Sequence, residues 1–246
     1  MSSKRVYRRE SSDLRLCFFS VKVKETDLWV AVDRNAYHEE LPSIIEQLVY
    51  KERKSLENYL KQYPHFMSNL KPCVLEGNPP ELFRLMIRAA NQAGVGPMAA
   101  VAGAFADLVG VYLKDLAREV VVENGGDIYL KAVEPLYVGI YAGNSELSGK
   151  LALKITPGQT PLGVCTSSGL VGPSLSFGRA DAAVALSPSV PLADACATAL
   201  GNMVKTASDL EPALNYAEKI QGITGAVIIC EGKVAAWGDI ELVSTS

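Results

Sequence analysis

The sequence is poor in histidine, in excess charge and in long apolar runs, and each shortage argues against a class of function. Its two histidines, His38 and His65, lie far along the chain from the serine-rich motif, and Ser167 and Ser168 lack the G-x-S-x-G frame of a nucleophile elbow. A Ser-His-Asp hydrolase is therefore disfavoured. The formal net charge of −3 offers no basic surface, so we expect no nucleic-acid partner. No apolar run reaches the roughly 18 residues of a membrane span, so we expect no membrane partner.

Cysteine is present but forms no recognisable framework. The five cysteines are widely spaced and contain no CxxC pair, which argues against a disulfide scaffold and a zinc site. The first ten residues, MSSKRVYRRE, are charged and lack the apolar segment of a signal peptide, so we expect a cytoplasmic protein.

Runs of β-forming residues, turn residues and helical apolar spacing predict paired strands and long helices without regular βαβ alternation. Residues 15–23 and 28–33 read as a hairpin, and the apolar spacing over residues 37–63 is helical. Further elements are a helix from Pro79-Pro80 to Asn91, a helix over 98–117, short strands up to 155, a helix over 208–220 and a closing hairpin over 224–238. This order predicts an α+β fold with a mainly antiparallel sheet and packed helices. We expect one domain over residues 1–246, with residues 1–72 as a candidate accessory layer.

The stretch Gly163–Gly201 contains the main candidate site residues of the chain. It contains a hydroxyl-rich loop over residues 166–169, an apolar strand over 180–186 and a helix of small residues over 192–201. Asp194 and Thr198 are four residues apart and share one face of that helix. A carboxylate with a hydroxyl suits Mg²⁺, and the alternative is that Asp194 caps or hydrogen-bonds locally near the helix start.

Two other motifs are rich in glycine. Asn124-Gly125-Gly126-Asp127 is either an anion-binding nest or a type I′ hairpin turn, which also favours Asn-Gly. The helix over 98–117 begins with alanine and glycine and places Gly103 and Asp107 on one face, so backbone or a ligand packs closely on it. Gly110, in the interior of the same helix, marks a further close contact.

Two cysteines lie beside these motifs. Cys165 precedes the hydroxyl-rich loop and Cys196 lies inside the small-residue helix. A thiol near a helix start or a cation can have a lowered pKa and be reactive. The alternative is an inert, buried thiol.

The order of these motifs resembles the ApbE-type flavin transferase superfamily, whose members cleave FAD and attach FMN to a protein hydroxyl with Mg²⁺. The segment ending Gly103–Asp107 resembles the family's GxxKGxxxD helix, and ENGGDI at residues 123–128 resembles its NxGGDI turn. CTSSG with ADACATAL resembles its TSG loop and ADALATAL helix. The resemblance covers roughly residues 98–201 and implies an ApbE-like, T-fold-related architecture.

The resemblance also implies the roles of individual residues. Asp194, Thr198 and the backbone carbonyl of Ala99 would bind Mg²⁺, and FAD or another nucleotide or flavin would be the small-molecule ligand. Asp107 is a candidate catalytic residue on the helix that resembles the family's, and Cys165 is a second candidate because of its position before the hydroxyl-rich loop. The predicted cofactor-binding residues are Asn124, Gly125, Gly126, Asp127, Thr166, Ser167, Ser168 and Gly169.

The sequence departs from the transferase pattern at two places. Ala102 stands where the transferases carry lysine, and residues 172–181 lack their histidine and DPxTG segment. The resemblance is thus to a divergent branch, one linked to sulfur assimilation. Three hypotheses follow: a nucleotide- or flavin-binding enzyme with altered chemistry, a persulfide carrier using Cys165 or Cys196, and a non-catalytic scaffold. A homodimer is a further expectation.

Overall fold

The computed structural model describes residues 15–167 and 178–245. Within these ranges the chain forms two antiparallel sheets and five α-helices. The strands are β1 (Leu16–Val23), β2 (Thr26–Asp33), β3 (Val120–Asn124), β4 (Asp127–Lys131), β5 (Leu136–Gly139), β6 (Leu151–Ile155), β7 (Leu162–Ser167), β8 (Ala182–Ser187), β9 (Gly225–Cys230), β10 (Lys233–Gly238) and β11 (Leu242–Ser244). The helices are α1 (Leu41–Gln62), α2 (Glu81–Gln92), α3 (Val101–Leu113), α4 (Val190–Met203) and α5 (Leu210–Glu218).

The larger sheet has eight strands in the order β1-β2-β3-β4-β7-β8-β9-β10, and the smaller has the order β11-β6-β5. Every pairing in both sheets is antiparallel. The α+β prediction with a mainly antiparallel sheet is therefore confirmed.

The centre of the large sheet is buried on both faces, which explains why strands such as β8 and β9 are almost wholly apolar. Along β8, Ala183 and Ala185 belong to the hydrophobic cluster shared with the helices, whereas Val184 and Leu186 belong to the cluster shared with the small sheet. This alternation is the period of two residues expected for a strand. The protein is thus layered as helices, large sheet and small sheet.

The N-terminal hairpin extends the large sheet. β2 pairs with β3 from Leu28 opposite Asn124 to Val32 opposite Val120, and α1 contributes Ile45 to the same helix-side cluster. The hairpin is thus the edge of the main sheet. The extent of the domain over residues 1–246 stays a prediction.

Several element boundaries differ from the sequence predictions. The predicted helix over 98–117 is a 3-10 turn, Pro97–Ala100, followed by α3, which ends at Leu113. Beyond this end, the Nζ of Lys131 donates to the carbonyls of Lys114 (2.5 Å) and Ala117 (2.7 Å). Thr166 and Ser167 were predicted as loop, but they pair with Val184 and Ala183 as the end of β7. The strand β11 was not predicted.

Among the described residues, no single helix is both long and apolar enough to cross a membrane. Only α2 taken together with the segment Pro97–Leu113 meets that criterion, and the two are bent by 107°.

Candidate functional site

The first feature of the site is the close contact between α3 and α4. The backbone N–H of Gly103 in α3 donates a hydrogen bond of 2.7 Å to Oδ2 of Asp194 in α4. A Cβ at position 103 would lie 2.7 Å from Cβ of Asp194 and 2.8 Å from the carbonyl oxygen of Val190. The small residues at the start of α3 therefore make room for a neighbouring helix.

Asp194 acts as a cap for a helix other than its own. The N-cap residue of α3, Ala100, supplies no side-chain hydrogen bond, and Asp194 accepts from the amide of Gly103, three residues further along the first turn. A carboxylate at this position satisfies unpaired amides and complements the helix dipole. The local-cap alternative for Asp194 is therefore wrong, because its described partner lies 91 residues away.

Burial dominates the electrostatics of Asp194. Its side chain is buried, and burial is the main cause that raises its pKa well above the ordinary value. The negative charge of Asp127 is the second cause and also raises this pKa. The amides of Gly103 and Ala102 act in the opposite direction because they stabilise the charged form. Burial therefore favours the protonated form of Asp194, and a nearby positive charge would favour its ionised form.

The Asn-Gly-Gly-Asp motif is a hairpin turn that contacts α3. Asn124 lies opposite Asp127, and both turn glycines have positive φ, 73° at Gly125 and 113° at Gly126. The alternative that this motif is a hairpin turn is therefore confirmed for its backbone conformation. The N–H of Gly126 already donates to Oε1 of Glu123 (3.0 Å), so this amide of the proposed nest has an anionic partner. Nδ2 of Asn124 donates to the carbonyl of Ala102 (3.0 Å).

Asp127 is a second buried acid on the helix side of the sheet. It lies directly opposite Cys165 in the β4–β7 pairing and is 7% exposed. Its Oδ1 has no hydrogen-bond partner among the described residues. Burial raises the pKa of Asp127 to about 7; the thiol of Cys165 opposes this rise and the charge of Glu123 adds to it. An unsatisfied buried carboxylate oxygen is costly, and it marks a position where a ligand or ion would be favourable.

The thiols do not have the electrostatics of reactive cysteines. Cys165 is fully buried, with Sγ 3.5 Å from the carbonyl oxygen of Val190. Burial raises its pKa well above the ordinary value, and the charges of Asp127 and Asp194 raise it further. Burial also raises the pKa of Cys196 to about 12. The lowered pKa expected for a reactive thiol is therefore wrong at both positions, although a catalytic role for Cys165 stays a prediction.

Asp127 and Asp194 form a buried acid pair, and three further predicted site residues lie on α3, on α4 and in the 3-10 turn before α3. Asp107 lies one turn after Gly103 on α3. Burial raises its pKa to about 6, while the charge of Lys114 and the backbone amide of Val190 act in the opposite direction. Thr198 is half-buried one turn after Asp194, and Ala99 is half-buried in the 3-10 turn before α3.

Two predicted residues lie on the strand beside Asp127 and two fall outside the structure. The backbone amide of Thr166 helps to lower the pKa of Asp127, and Ser167 ends the same strand. Ser168 and Gly169 lie outside the described residues.

Two functional candidates were missed by sequence reasoning. Glu123 is buried beside the glycine turn and accepts a hydrogen bond from Gly126. In the sequence, only its position before Asn-Gly-Gly could have indicated this contact. Tyr129 is buried with a hydroxyl that has no partner among the described residues. The pKa of Tyr129 is raised to about 12, mainly by burial and further by the negative charges of Asp107 and Asp115. Its ring packs on Gly110, where a Cβ would lie 2.2 Å from it, so the predicted close contact at Gly110 is confirmed.

A separate cleft of 380 Å³ lies between α2 and the segment that precedes it. It shares no residue with the acid pair. Its lining residues are Cys73, Val74, Leu75, Arg84, Ile87, Arg88 and Asn91.

Comparison with known proteins shows a family and a fold. The family model described as AbpE bacteria matches residues 8–236. The chain is 43% identical to a UPF0280 protein of Methanocella arvoryzae over 88% of this chain and 86% of that protein. It is 39% identical to a UPF0280 protein of Methanocaldococcus jannaschii, over 91% of each chain.

Solved structures share the fold at low identity. The flavinyl transferase ApbE of Pseudomonas stutzeri in its apo form has a TM-score of 0.62 at 16% identity, covering 93% of this chain and 94% of that chain. A variant of the flavin transferase ApbE of Vibrio cholerae has a TM-score of 0.63 at 15% identity, covering 91% and 97%. The resemblance to the ApbE-type superfamily is confirmed, and with the family match over residues 8–236 the chain belongs to the AbpE bacteria family.

Proposed function

We propose that the protein binds a nucleotide or flavin together with Mg²⁺ where α3, α4 and the β3–β4 turn meet. The observation that carries this proposal is the buried acid pair, Asp127 and Asp194. Burial raises both pKa values, and no lysine or arginine of the described residues is among the groups that shift them. A bound cation would supply the missing positive charge and favour the ionised carboxyl groups.

The donor set fits a hard cation. Among residues 15–167 and 178–245, no group of three or more histidine, cysteine, aspartate and glutamate side chains is placed to hold a metal. Mg²⁺ requires no such group, since it usually takes one or two carboxylates and completes its shell with water and phosphate. We propose that Asp194, the Thr198 hydroxyl and the Ala99 carbonyl hold it. The unpaired Oδ1 of Asp127 is a further oxygen at the same junction.

The organic ligand is proposed to lie along the exposed turn at Gly125 and Gly126 and the end of β7 at Thr166. Mg²⁺ would neutralise the charge of its phosphates. The structural relatives are flavin transferases, which supports a flavin, but identities of 16% and 15% mean that only the fold is shared. Ala102 in place of the transferase lysine supports chemistry that differs from theirs.

The proposal is tested by calorimetric titration of FAD, FMN and ADP with and without Mg²⁺. We expect binding that requires Mg²⁺ for at least one ligand. Asp194→Asn, which keeps an acceptor for the Gly103 amide, should weaken it at least about tenfold because metal affinity depends on a charged oxygen. Asp209→Asn is the matched control, because the Asp209 carboxylate bonds the Lys205 and Thr206 amides in a segment that shares no residue with this site.

The opposite result is equally clear. A wild-type protein that shows no heat with any of the three ligands, and an unchanged melting temperature in their presence, would contradict the proposal and favour the scaffold hypothesis. A ligand at 100 times its Kd should raise the free energy of unfolding by about 2.7 kcal/mol, so thermal denaturation would detect it.

A further inference from the structure

One peptide group connects the glycine turn to Asp194. The carbonyl of Ala102 accepts from Nδ2 of Asn124 at 3.0 Å, and the N–H of Gly103 donates to Oδ2 of Asp194 at 2.7 Å. This carbonyl and this N–H belong to the same planar peptide unit. A side chain on β3 and a side chain on α4 are therefore joined through a single rigid group in the first turn of α3.

The surroundings leave this connection little freedom. Asn124 is 7% exposed and Asp194 is 8% exposed. The absence of a Cβ at Gly103 brings α3 directly against Asp194. A hydrogen bond to the carbonyl end of a peptide also polarises its N–H and strengthens the bond that the N–H donates. Asn124 thus influences both where the Gly103 amide points and how strongly it holds the Asp194 carboxylate.

We propose that Asn124 is a positioning residue that orients Asp194 for cation binding through the Ala102–Gly103 peptide. With Oδ2 held by Gly103, Oδ1 of Asp194 would be the oxygen left to bind a divalent cation. This role differs from the direct ligand contact predicted for Asn124 from the sequence. It rests on the proposed function, because it presupposes that Asp194 binds a metal.

The test uses Mn²⁺ alone as the probe, with free Mn²⁺ measured by electron paramagnetic resonance in titrations of the full chain. Asn124→Ala should weaken Mn²⁺ binding about 10- to 100-fold, the range seen when an outer-shell partner of a metal ligand is removed. Asn91→Ala is the matched control. Its side chain also bonds backbone, at the N–H and carbonyl of Cys73 (2.9 and 2.8 Å), but it lies at the separate cleft. This control should bind Mn²⁺ within about twofold of the wild type, as expected for a site outside the metal's outer shell.

A spectroscopic measurement tests the connection without metal. The amide proton of Gly103 should resonate strongly downfield in the wild type because it donates a short bond to a carboxylate. It should move upfield in Asn124→Ala and stay in place in Asn91→Ala. If Asn124→Ala does not fold, Asn124→Ser, whose hydroxyl is too short to replace the amide, serves for both measurements.

The outcomes are distinguishable. Wild-type Mn²⁺ binding that persists unchanged in a folded Asn124 variant would overturn the positioning role and leave the proposed function intact. Absence of Mn²⁺ binding in the wild type itself, with and without nucleotide, would overturn both. Weakened binding with an unmoved Gly103 resonance would show that Asn124 acts by another route and would also overturn the inference.

Discussion

The amide of Gly103 and the carboxylate of Asp194 are joined by a hydrogen bond of 2.7 Å across 91 residues of sequence. A second acid at the same helix contact, Asp107 of α3, interacts with the backbone amide of Val190 at the start of α4. Each helix therefore places a carboxyl group at the first turn of the other. Capping across helices satisfies amides that neither helix satisfies by itself, and it fixes Asp194, one member of the acid pair on which the proposed function depends.

The contact at Gly103 should not tolerate a methyl group. Gly103→Ala would place Cβ 2.7 Å from Cβ of Asp194, so we expect the free energy of unfolding to fall by about 2 kcal/mol or more. Gly139→Ala is the control, because nothing lies within 4 Å of a Cβ there, and it should change stability by less than about 0.5 kcal/mol. Urea denaturation measures both. Equal stabilities of the two variants would contradict the close helix contact.

Asp107 should make stability depend on pH in the direction of a buried acid. Its pKa is raised from 3.8 to about 6, mainly by burial, so the folded state binds more protons than the unfolded state between these values. Stability therefore falls as pH rises through this window and is lowest above about pH 6. Relative to Asp107→Asn, we expect the wild type to lose roughly 1 to 3 kcal/mol between pH 4 and pH 7. Parallel pH profiles of wild type and variant would contradict the raised pKa.

The thiols should differ in reactivity by their burial. Cys165, Cys196 and Cys230 are buried, whereas Cys17 and Cys73 are partly accessible. We expect iodoacetamide at neutral pH to modify the two accessible thiols first and the buried three at least about tenfold more slowly, since only the accessible thiolate reacts. Mass spectrometry of peptides gives the order. Rapid modification of Cys165 or Cys196 in the folded protein would restore the persulfide-carrier hypothesis.

The hydroxyl of Tyr129 should contribute nothing favourable to stability in the ligand-free protein. It is buried without a partner among the described residues, so Tyr129→Phe should leave the free energy of unfolding unchanged or raise it by up to about 1 kcal/mol. Tyr59 provides the contrast, since its hydroxyl donates to the carbonyl of Glu76 at 2.7 Å. Tyr59→Phe should cost about 1 kcal/mol. A larger loss at Tyr129 than at Tyr59 would reveal a partner for the Tyr129 hydroxyl.

Much of the fold could be predicted because its signals are local. Runs of β-forming residues around tight turns predicted both terminal hairpins, helical spacing of apolar residues predicted α1, and the Pro79-Pro80 start predicted α2. The boundaries that differed were set by distant partners. Thr166 and Ser167 are strand because β8 pairs with them, and beyond the end of α3 the carbonyls of Lys114 and Ala117 bind Lys131 of β4.

The sequence predicted most of the residues at the candidate site, but it predicted fewer of the contacts between them. Asp194, Asp127, Asn124 and Cys165 were all predicted, and the structure brings them together around the first turn of α3. The roles of Glu123 and Tyr129 were not predicted, because an acid and an aromatic residue on short strands have no local feature that shows which face is buried.

The sequence by itself determined which positions must be small and which side chains share a helical face. The small side chains at Gly103 and Gly110 predicted close contacts, and the helical period placed Asp194 and Thr198 on one face of α4. Only the tertiary structure decided what fills those contacts. It placed the Asp194 carboxylate against the Gly103 amide and the Cys165 thiol against the Val190 carbonyl. Burial of the carboxyl group and the thiol raised the pKa of each. Burial and charge depend on neighbours distant in sequence, so no local pattern could supply them.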